Sequence, residues 1–408
     1  MKVTDRIQMS TLILLIICLF MHNACEQKKE SPAGPEVYAV FEGGKEEMKG
    51  HNDIIFPQYR EQNVIVTNSG KLVVVVQGRN KSDWSDRSGQ DLICKTSIDN
   101  GKSWSKPLLM ISEGEKSICP NATVYDKTTN RIITLYSVFQ WPFTDPEIRK
   151  SWEGLKNREY MIYSDDEGET WSEPHEITQA AKLDSVTQVF GSGEGIQLKH
   201  DKYAGRLVVP GGDMLPPNKR VFAWYSDDHG KNWRTSDIVP NTQGRLTPCE
   251  NAIVELSDGT LLMNERNQGI GHRWKSISQD GGETWSAFEP IVDLPSISCN
   301  SGVISVEHNG KEILLYAGPV GPSPDVINAL NEYEGQDLSS QERRRNGVVF
   351  ASYDQGKTWP FRKLLVPDLF AYSSLVLLPD GNIGLFYESR DHLDINLIRF
   401  SRDWLFSN

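Results

Sequence analysis

Six segments of this chain carry side chains able to grip an anion or move a proton, and they lie far apart in the sequence. Arg60 follows Tyr59 just ahead of the β-branched run 63–67. Arg79 opens a loop that contains Asp83, Asp86 and Asp91. Glu250 and Arg266 stand near the two ends of segment 249–266, which turns at Asp258-Gly259; a hairpin there would bring its ends together. Arg343, Arg344 and Arg345 are consecutive, Tyr372 heads the phrase Tyr-Ser-Ser-Leu, and Glu388 closes segment 381–388. A guanidinium offers fixed, paired donors to the two oxygens of a carboxylate or phosphate. A tyrosine beside a carboxylate forms a proton-transfer pair. Taken one at a time, each residue also has a plainer reading. An arginine run is commonly a solvated patch, a tyrosine before a strand is commonly core, and a glutamate at a strand end is commonly surface charge.

The elements that would have to gather these residues are strands. Segments 63–67 and 71–77 flank Asn68-Ser69-Gly70, a hairpin signal. Similar runs occur at 131–136, 206–210, 252–263 and 374–387. Helical periodicity is nearly absent; segments 146–157 and 326–345 are expected to be short helices or loops. An eight-residue phrase recurs five times: SIDNGKSW from Ser97, SDDEGETW from Ser164, SDDHGKNW from Ser226, SQDGGETW from Ser278 and SYDQGKTW from Ser352. Its spacing is uneven, roughly 50 to 75 residues, as expected of equivalent turns in a repeated unit with variable loops. The glycine permits positive φ, serine and aspartate can bond backbone amides across the turn, and the tryptophan is expected to pack back on its own sheet. Small antiparallel sheets of this kind cannot bury their faces alone, and radial packing of them gives a propeller. Five copies imply at least five blades. Segment 395–400 is expected to close the ring against N-terminal strands.

Composition bounds the partners. The 408 residues are 38% hydrophobic and 24% charged, an ordinary globular balance. A net charge of -12 argues against nucleic acid as the main partner. Residues 1–25 read as a signal peptide, with Lys2 and Arg6 ahead of the apolar run 12–20, and Ala24-Cys25 followed by a polar stretch. That pattern resembles a bacterial lipoprotein signal and makes Cys25 the expected lipidation site; His22 departs from the usual pattern. The expected organisation is signal peptide 1–25, linker 26–40 and propeller 41–408, in an exported protein of the periplasm, outer membrane or cell surface that meets a membrane only through that anchor. Cys94, Cys119, Cys249 and Cys299 form no CxxC pair and are expected to be buried thiols rather than metal ligands.

The repeated phrase is the Asp box, or bacterial neuraminidase repeat, and with the segments above it makes the chain resemble the bacterial exo-α-sialidases, six-bladed β-propellers, over roughly residues 50 to 390. What the resemblance implies is specific. Arg60, Arg266 and Arg344 would clamp the carboxylate of a terminal sialic acid, Arg344 being chosen within its run because Arg344-Arg345-Asn346 fits the family pattern. Glu388 would hold Arg60. Tyr372 would be the nucleophile and Glu250 its base, since a charged carboxylate nucleophile would be repelled by the substrate's own carboxylate. Sialidases with a tyrosine nucleophile are a known exception to the two-carboxylate pattern of glycosidases. Asp86 would be the general acid, with Asp83 its competitor, and Arg79 would bind the sugar near its 4-hydroxyl. No metal or organic cofactor is implied. Partners would be sialylated glycans, glycoproteins or glycolipids. Segments 193–198, 205–210 and 299–304 are family-like in addition. Two departures stand out: Arg60 is followed by Glu61-Gln62 where the family has Ile-Pro, and Cys119-Pro120 stands where many members have Asp-Pro. A hydrolase for a related sugar acid, or a carbohydrate-binding propeller without activity, are the alternative readings.

Overall fold

The computed structural model describes residues 33–51, 53–81, 89–114, 116–139, 157–183, 189–190, 193–213, 220–242, 248–267, 270–323, 339–390 and 392–407. Asp83, Asp86, Cys25 and most of segments 146–157 and 326–345 lie outside them. The fold is all-β and propeller-like. Successive antiparallel strands form sheets in chain order: 248–255 with 261–267, 270–278 and 289–297, then 303–308 with 311–319, 345–352 and 361–369. A third sheet centres on 207–213 and 220–226. The largest sheet has eight strands, and its two antiparallel runs meet through a single parallel pairing, Gln90 with Ser117. The closing sheet runs 36–41, 394–400, 383–389, 373–377, so its outer strand comes from the opposite end of the chain. Glu36 pairs with Arg399 and Val37 with Ile398. The ring is therefore closed as expected, but by a strand, Glu36–Phe41, of which all residues except Phe41 fall in the segment expected to be linker; Val40 and Phe41 are buried.

Apolar clusters lie between successive sheets. One joins Val254 and Leu262 to Leu314 and Phe350. Another joins Leu315 and Val349 to Leu385 and Ile398, and a third joins Leu72, Val74 and Ile93 to Phe386 and Leu397 across the closure. Strand 72–79 is buried along its whole length because it has a neighbour on each face.

The five Asp boxes share one hydrogen-bond scheme. In the first, Ser97 Oγ donates to Asp99 Oδ1 at 2.8 Å, Gly101 N donates to Ser97 Oγ at 2.9 Å and Ser103 Oγ donates to Asp99 Oδ2 at 2.6 Å. Gly101 has φ +82°, which a side chain would strain. Burial raises the Asp99 carboxyl, but the bonds from Ser103 and Ser97 outweigh it and hold it below its ordinary value. The box tryptophans do not pack only on their own sheets. Trp104 meets Phe386 edge-on at 6.0 Å in the closing sheet, and Trp359 joins the cluster of Leu262 and Leu256 in the sheet before its own. A Cβ on Gly230 would lie 2.3 Å from Ile133 of the preceding run. The boxes are thus stitches between sheets. They lie a strand length from the candidate residues: Arg79 pairs with Gln90 while Leu72 pairs with Ser97. Short helices at 178–181, 340–343 and 402–405 decorate the sheets.

Glu159 is one of the acids raised by burial, with Glu194 and Asp91, that make the fold sensitive to pH. Glu159 is 1% exposed. Its Oε2 accepts from Ser137 Oγ at 2.6 Å and Asn121 Nδ2 at 3.0 Å. Burial pushes its carboxyl up from 4.5 to about 7, against the lowering effect of Ser137, Lys182 and Asn121. The folded chain therefore holds this proton more tightly than the unfolded one. The stabilisation is full below pH 4.5 and is lost as pH rises towards about 7. Glu159→Gln is expected to flatten that decline, read as the denaturant midpoint at a series of pH values; an unchanged slope between pH 4.5 and 7 would count against the assignment.

Candidate active site

The ends of the inner strands opposite the Asp boxes bring six of the candidate residues together. Strand 58–66 carries Arg60 and breaks register between Arg60 and Asn63, a bulge with Glu61 at φ +58°. Arg60 reaches the closing sheet, where Nε and Nη2 donate to the two oxygens of Glu388, each at 3.1 Å. The same carboxylate accepts from Glu61 N at 3.1 Å. Arg60 is 4% exposed and Glu388 0%, so neither charge would tolerate losing the other.

Tyr372 lies just before strand 373–377 and is 6% exposed. Ala371 N donates to Glu388 O at 3.1 Å, and Glu388 N to Tyr372 O at 3.0 Å. Gln62 Nε2 donates to Tyr372 O at 2.9 Å. The following strand packs so closely that a Cβ on Gly302 would lie 2.6 Å from Leu375 N, which accounts for the glycine of the Asn300-Ser301-Gly302 phrase. Hairpin 248–267 supplies the next pair: Asn251 is opposite Glu265, so Glu250 and Arg266 do meet. Tyr372 Oη donates to Glu250 Oε1, and Arg266 Nη1 donates to Glu250 Oε2. Arg266 Nη1 also donates to Tyr372 Oη at 2.7 Å.

Arg344 completes the group. It precedes strand 345–352 and is 7% exposed, whereas Arg345 turns outward to Asp368 at 2.8 Å. The three guanidinium carbons lie over the Tyr372 ring, at 5.1 Å for Arg60, 5.8 Å for Arg266 and 5.1 Å for Arg344. Burial pushes the Tyr372 phenol well above its ordinary value. Arg266, Arg344 and Arg60 act in the opposite sense, and Glu250 adds to the rise. The resting phenol is therefore neutral, with its proton directed at Glu250.

Arg79 is fully buried and adjoins the group rather than entering it. Nε donates to Gln77 Oε1 at 2.7 Å and Nη2 to Glu61 Oε1 at 3.3 Å. The other Glu61 oxygen accepts from the Cys119 thiol at 3.3 Å. Three contributors escaped the sequence reading: Glu61, Gln62 and His392. The first two sit where the family phrase is broken. Their roles depend on the bulge, which leaves no pattern in the sequence. His392 is buried in a turn between strands of the closing sheet, and no motif marks it.

Fold and pocket together define a β-propeller that presents a cluster of buried guanidiniums around a hydrogen-bonded tyrosine. The BNR repeat-like domain family matches residues 109–385, and the chain belongs to that family. It is 30% identical over 367 residues to a sialidase of Micromonospora viridifaciens, a match covering 86% of this chain and 52% of that one. With a sialidase of Bacteroides fragilis it shares 27% over 358 residues, covering 81% and 60%. The chain thus spans only about half to three-fifths of the length of these relatives. Among solved structures, the Hadza microbial sialidase Hz136 superposes with a TM-score of 0.70 at 24% identity, over 85% of this chain and 66% of that one. An intramolecular trans-sialidase from Ruminococcus gnavus superposes with a TM-score of 0.68 at 20% identity, over 93% and 99%. These likenesses establish the fold.

Breaking the Arg60–Glu388 pair from one side leaves a buried charge. Glu388→Leu is expected to lower stability by about 3–5 kcal/mol. The double variant Arg60→Met/Glu388→Leu should lose less than the sum of the two single changes, a comparison made by denaturant unfolding. Strict additivity would show that the pair is not coupled.

Proposed function

We propose that this chain is a retaining exo-α-sialidase on a six-bladed propeller, acting on terminal α-linked sialic acids of glycans, glycoproteins or glycolipids. The blade count rests on treating the eight-stranded sheet as two blades joined by its one parallel pairing. The observation that carries the activity is the Tyr372 hydroxyl donating to Glu250 beneath three buried guanidiniums.

Arg60, Arg266 and Arg344 bind the substrate carboxylate and so set the anomeric carbon over Tyr372. A carboxylate nucleophile would meet the substrate's own negative charge, and a neutral phenol does not. Tyr372 Oη attacks the anomeric carbon as its proton passes to Glu250. Asp86, from the loop after Arg79, protonates the departing glycosidic oxygen. Water, deprotonated by the Asp86 carboxylate, then attacks the same carbon. The bond to Tyr372 breaks, and Glu250 returns the proton to the phenolate. Two inversions retain the α configuration. Arg79 acts on the sugar near its 4-hydroxyl only through Glu61, to which it donates. Residues 1–25 direct export, and Cys25 is the lipid-anchored residue at the cell surface or in the periplasm.

The test is release of the fluorophore from an aryl α-sialoside, with the product followed by proton NMR. The wild type is expected to release the α anomer first. Glu250→Gln and Asp86→Asn are each expected to lower kcat by about 10²–10⁴-fold, and Tyr372→Phe to abolish steady turnover. Binding without turnover by the folded wild type would make this a carbohydrate-binding propeller. First appearance of the β anomer would rule out retention, and an internally bridged anhydro sugar would mark intramolecular transfer. Undiminished turnover by Tyr372→Phe would remove the nucleophile assignment.

A further inference from the structure

The three clustered arginines are not held alike. Arg60 is braced by the carboxylate of Glu388, and Arg266 by the carboxylate of Glu250. The hydrogen-bond partners of Arg344 among the described residues are uncharged or chargeable only by protonation. Nη2 donates to Ser298 O at 2.9 Å, and Nη1 lies 3.0 Å from His392 Nε2. Both partners sit in left-handed backbone conformations, Ser298 at φ +50° and His392 at φ +65°. Such conformations cost a non-glycine residue energy and persist where the surroundings enforce them. Here both aim an acceptor at one guanidinium.

The turn that carries His392 is hydrogen-bonded to its surroundings. Leu393 N bonds Ser389 O and Arg390 O at 3.2 and 3.1 Å, and Leu393 O accepts from Tyr59 N at 3.2 Å, next to Arg60. Arg390 grips Asp394, whose Oδ1 also accepts from Gly43 N at 2.9 Å. The imidazole is 2% exposed and its Nε2 is 3.9 Å from Glu388 Oε2, beyond hydrogen-bond range. A guanidinium only donates, so the contact with Arg344 requires Nε2 to accept. The ring must then be neutral, with its proton on Nδ1.

We propose that His392 is a positioning residue for Arg344. As a neutral Nε2 acceptor it aims the guanidinium over Tyr372 without cancelling its charge. Among the described residues two carboxylates stand against three guanidiniums, a surplus of one positive charge, which a substrate carrying one carboxylate would neutralise. A glutamate in place of His392 would hold the arginine as firmly but remove that surplus. This inference rests on the sialidase reading for its kinetic consequence, but not for its geometry.

The experiment pairs two variants with a spectroscopic readout. His392→Phe keeps a ring and removes the acceptor, and His392→Gln restores an acceptor oxygen at comparable reach. With the aryl α-sialoside, His392→Phe is expected to raise KM about tenfold at nearly unchanged kcat, and His392→Gln to restore KM to near the wild-type value. Nitrogen NMR of histidine-labelled wild type, assigned by the signal lost in His392→Gln, is expected to show an unprotonated Nε2. An unchanged KM in folded His392→Phe, equal damage in both variants, or a protonated Nε2 would each overturn the proposal. Should one variant fail to fold, the wild-type spectrum, assigned by the signal lost in the other, still decides it. A wild type that cleaves no sialoside would instead overturn the proposed function, leaving the spectrum to judge the brace.

Discussion

The burial of three guanidiniums around one phenol is the constraint on which the rest of this protein turns. Like charges crowded out of water are stable only if acceptors are fixed beside them. Those acceptors come from remote parts of the chain: Glu388 meets Arg60 across 328 positions and Tyr372 meets Glu250 across 122. No local segment could form this pocket. It exists only when the ring is closed, and the closing sheet is where Tyr372, Glu388 and the N-terminal strand 36–41 are held together.

Closure also explains the division of labour along each strand. One end carries the charged cluster. The other carries the Asp boxes, whose aspartates are occupied by their own turns and whose tryptophans reach the neighbouring sheet. The boxes stabilise the packing between sheets and thereby the distances at the opposite end. The pocket chemistry follows from those distances. Burial keeps the Tyr372 phenol protonated at rest, and its hydroxyl already donates to Glu250, which places a base beside that oxygen. The phenol is shielded from water by the same packing that makes it a poor acid on its own.

Much of this was legible in order along the chain. The Asp-box phrase announced repeated sheets, and the resemblance of segments 249–266 and 371–375 picked out Glu250, Arg266 and Tyr372. Choosing Arg344 from three arginines followed from a family pattern; strand alternation then turned Arg345 outward to Asp368. The broken phrase after Arg60 read as a weak match. In the structure Arg60 keeps its grip on Glu388, and the substituted residues do other work: Gln62 holds the Tyr372 carbonyl, and Glu61 links Arg79 to Cys119. The first strand was read as linker because its alternation is too short to stand out, and its partner lies at the far end of the chain.

By itself, then, the sequence determined what is local or repeated: the hairpins, the turn chemistry of the boxes, and the residue types able to clamp an anion. These are encoded by neighbours within a few positions, where period-2 alternation and glycine placement act directly. Tertiary structure alone decided which charges are buried, how each is braced, and that Glu61 and His392 face the cluster. A bulge and two left-handed residues set those directions, and their conformations are enforced by packing between sheets rather than by any local preference. The third arginine's uncharged brace exists only because strand ends from different sheets converge on one point.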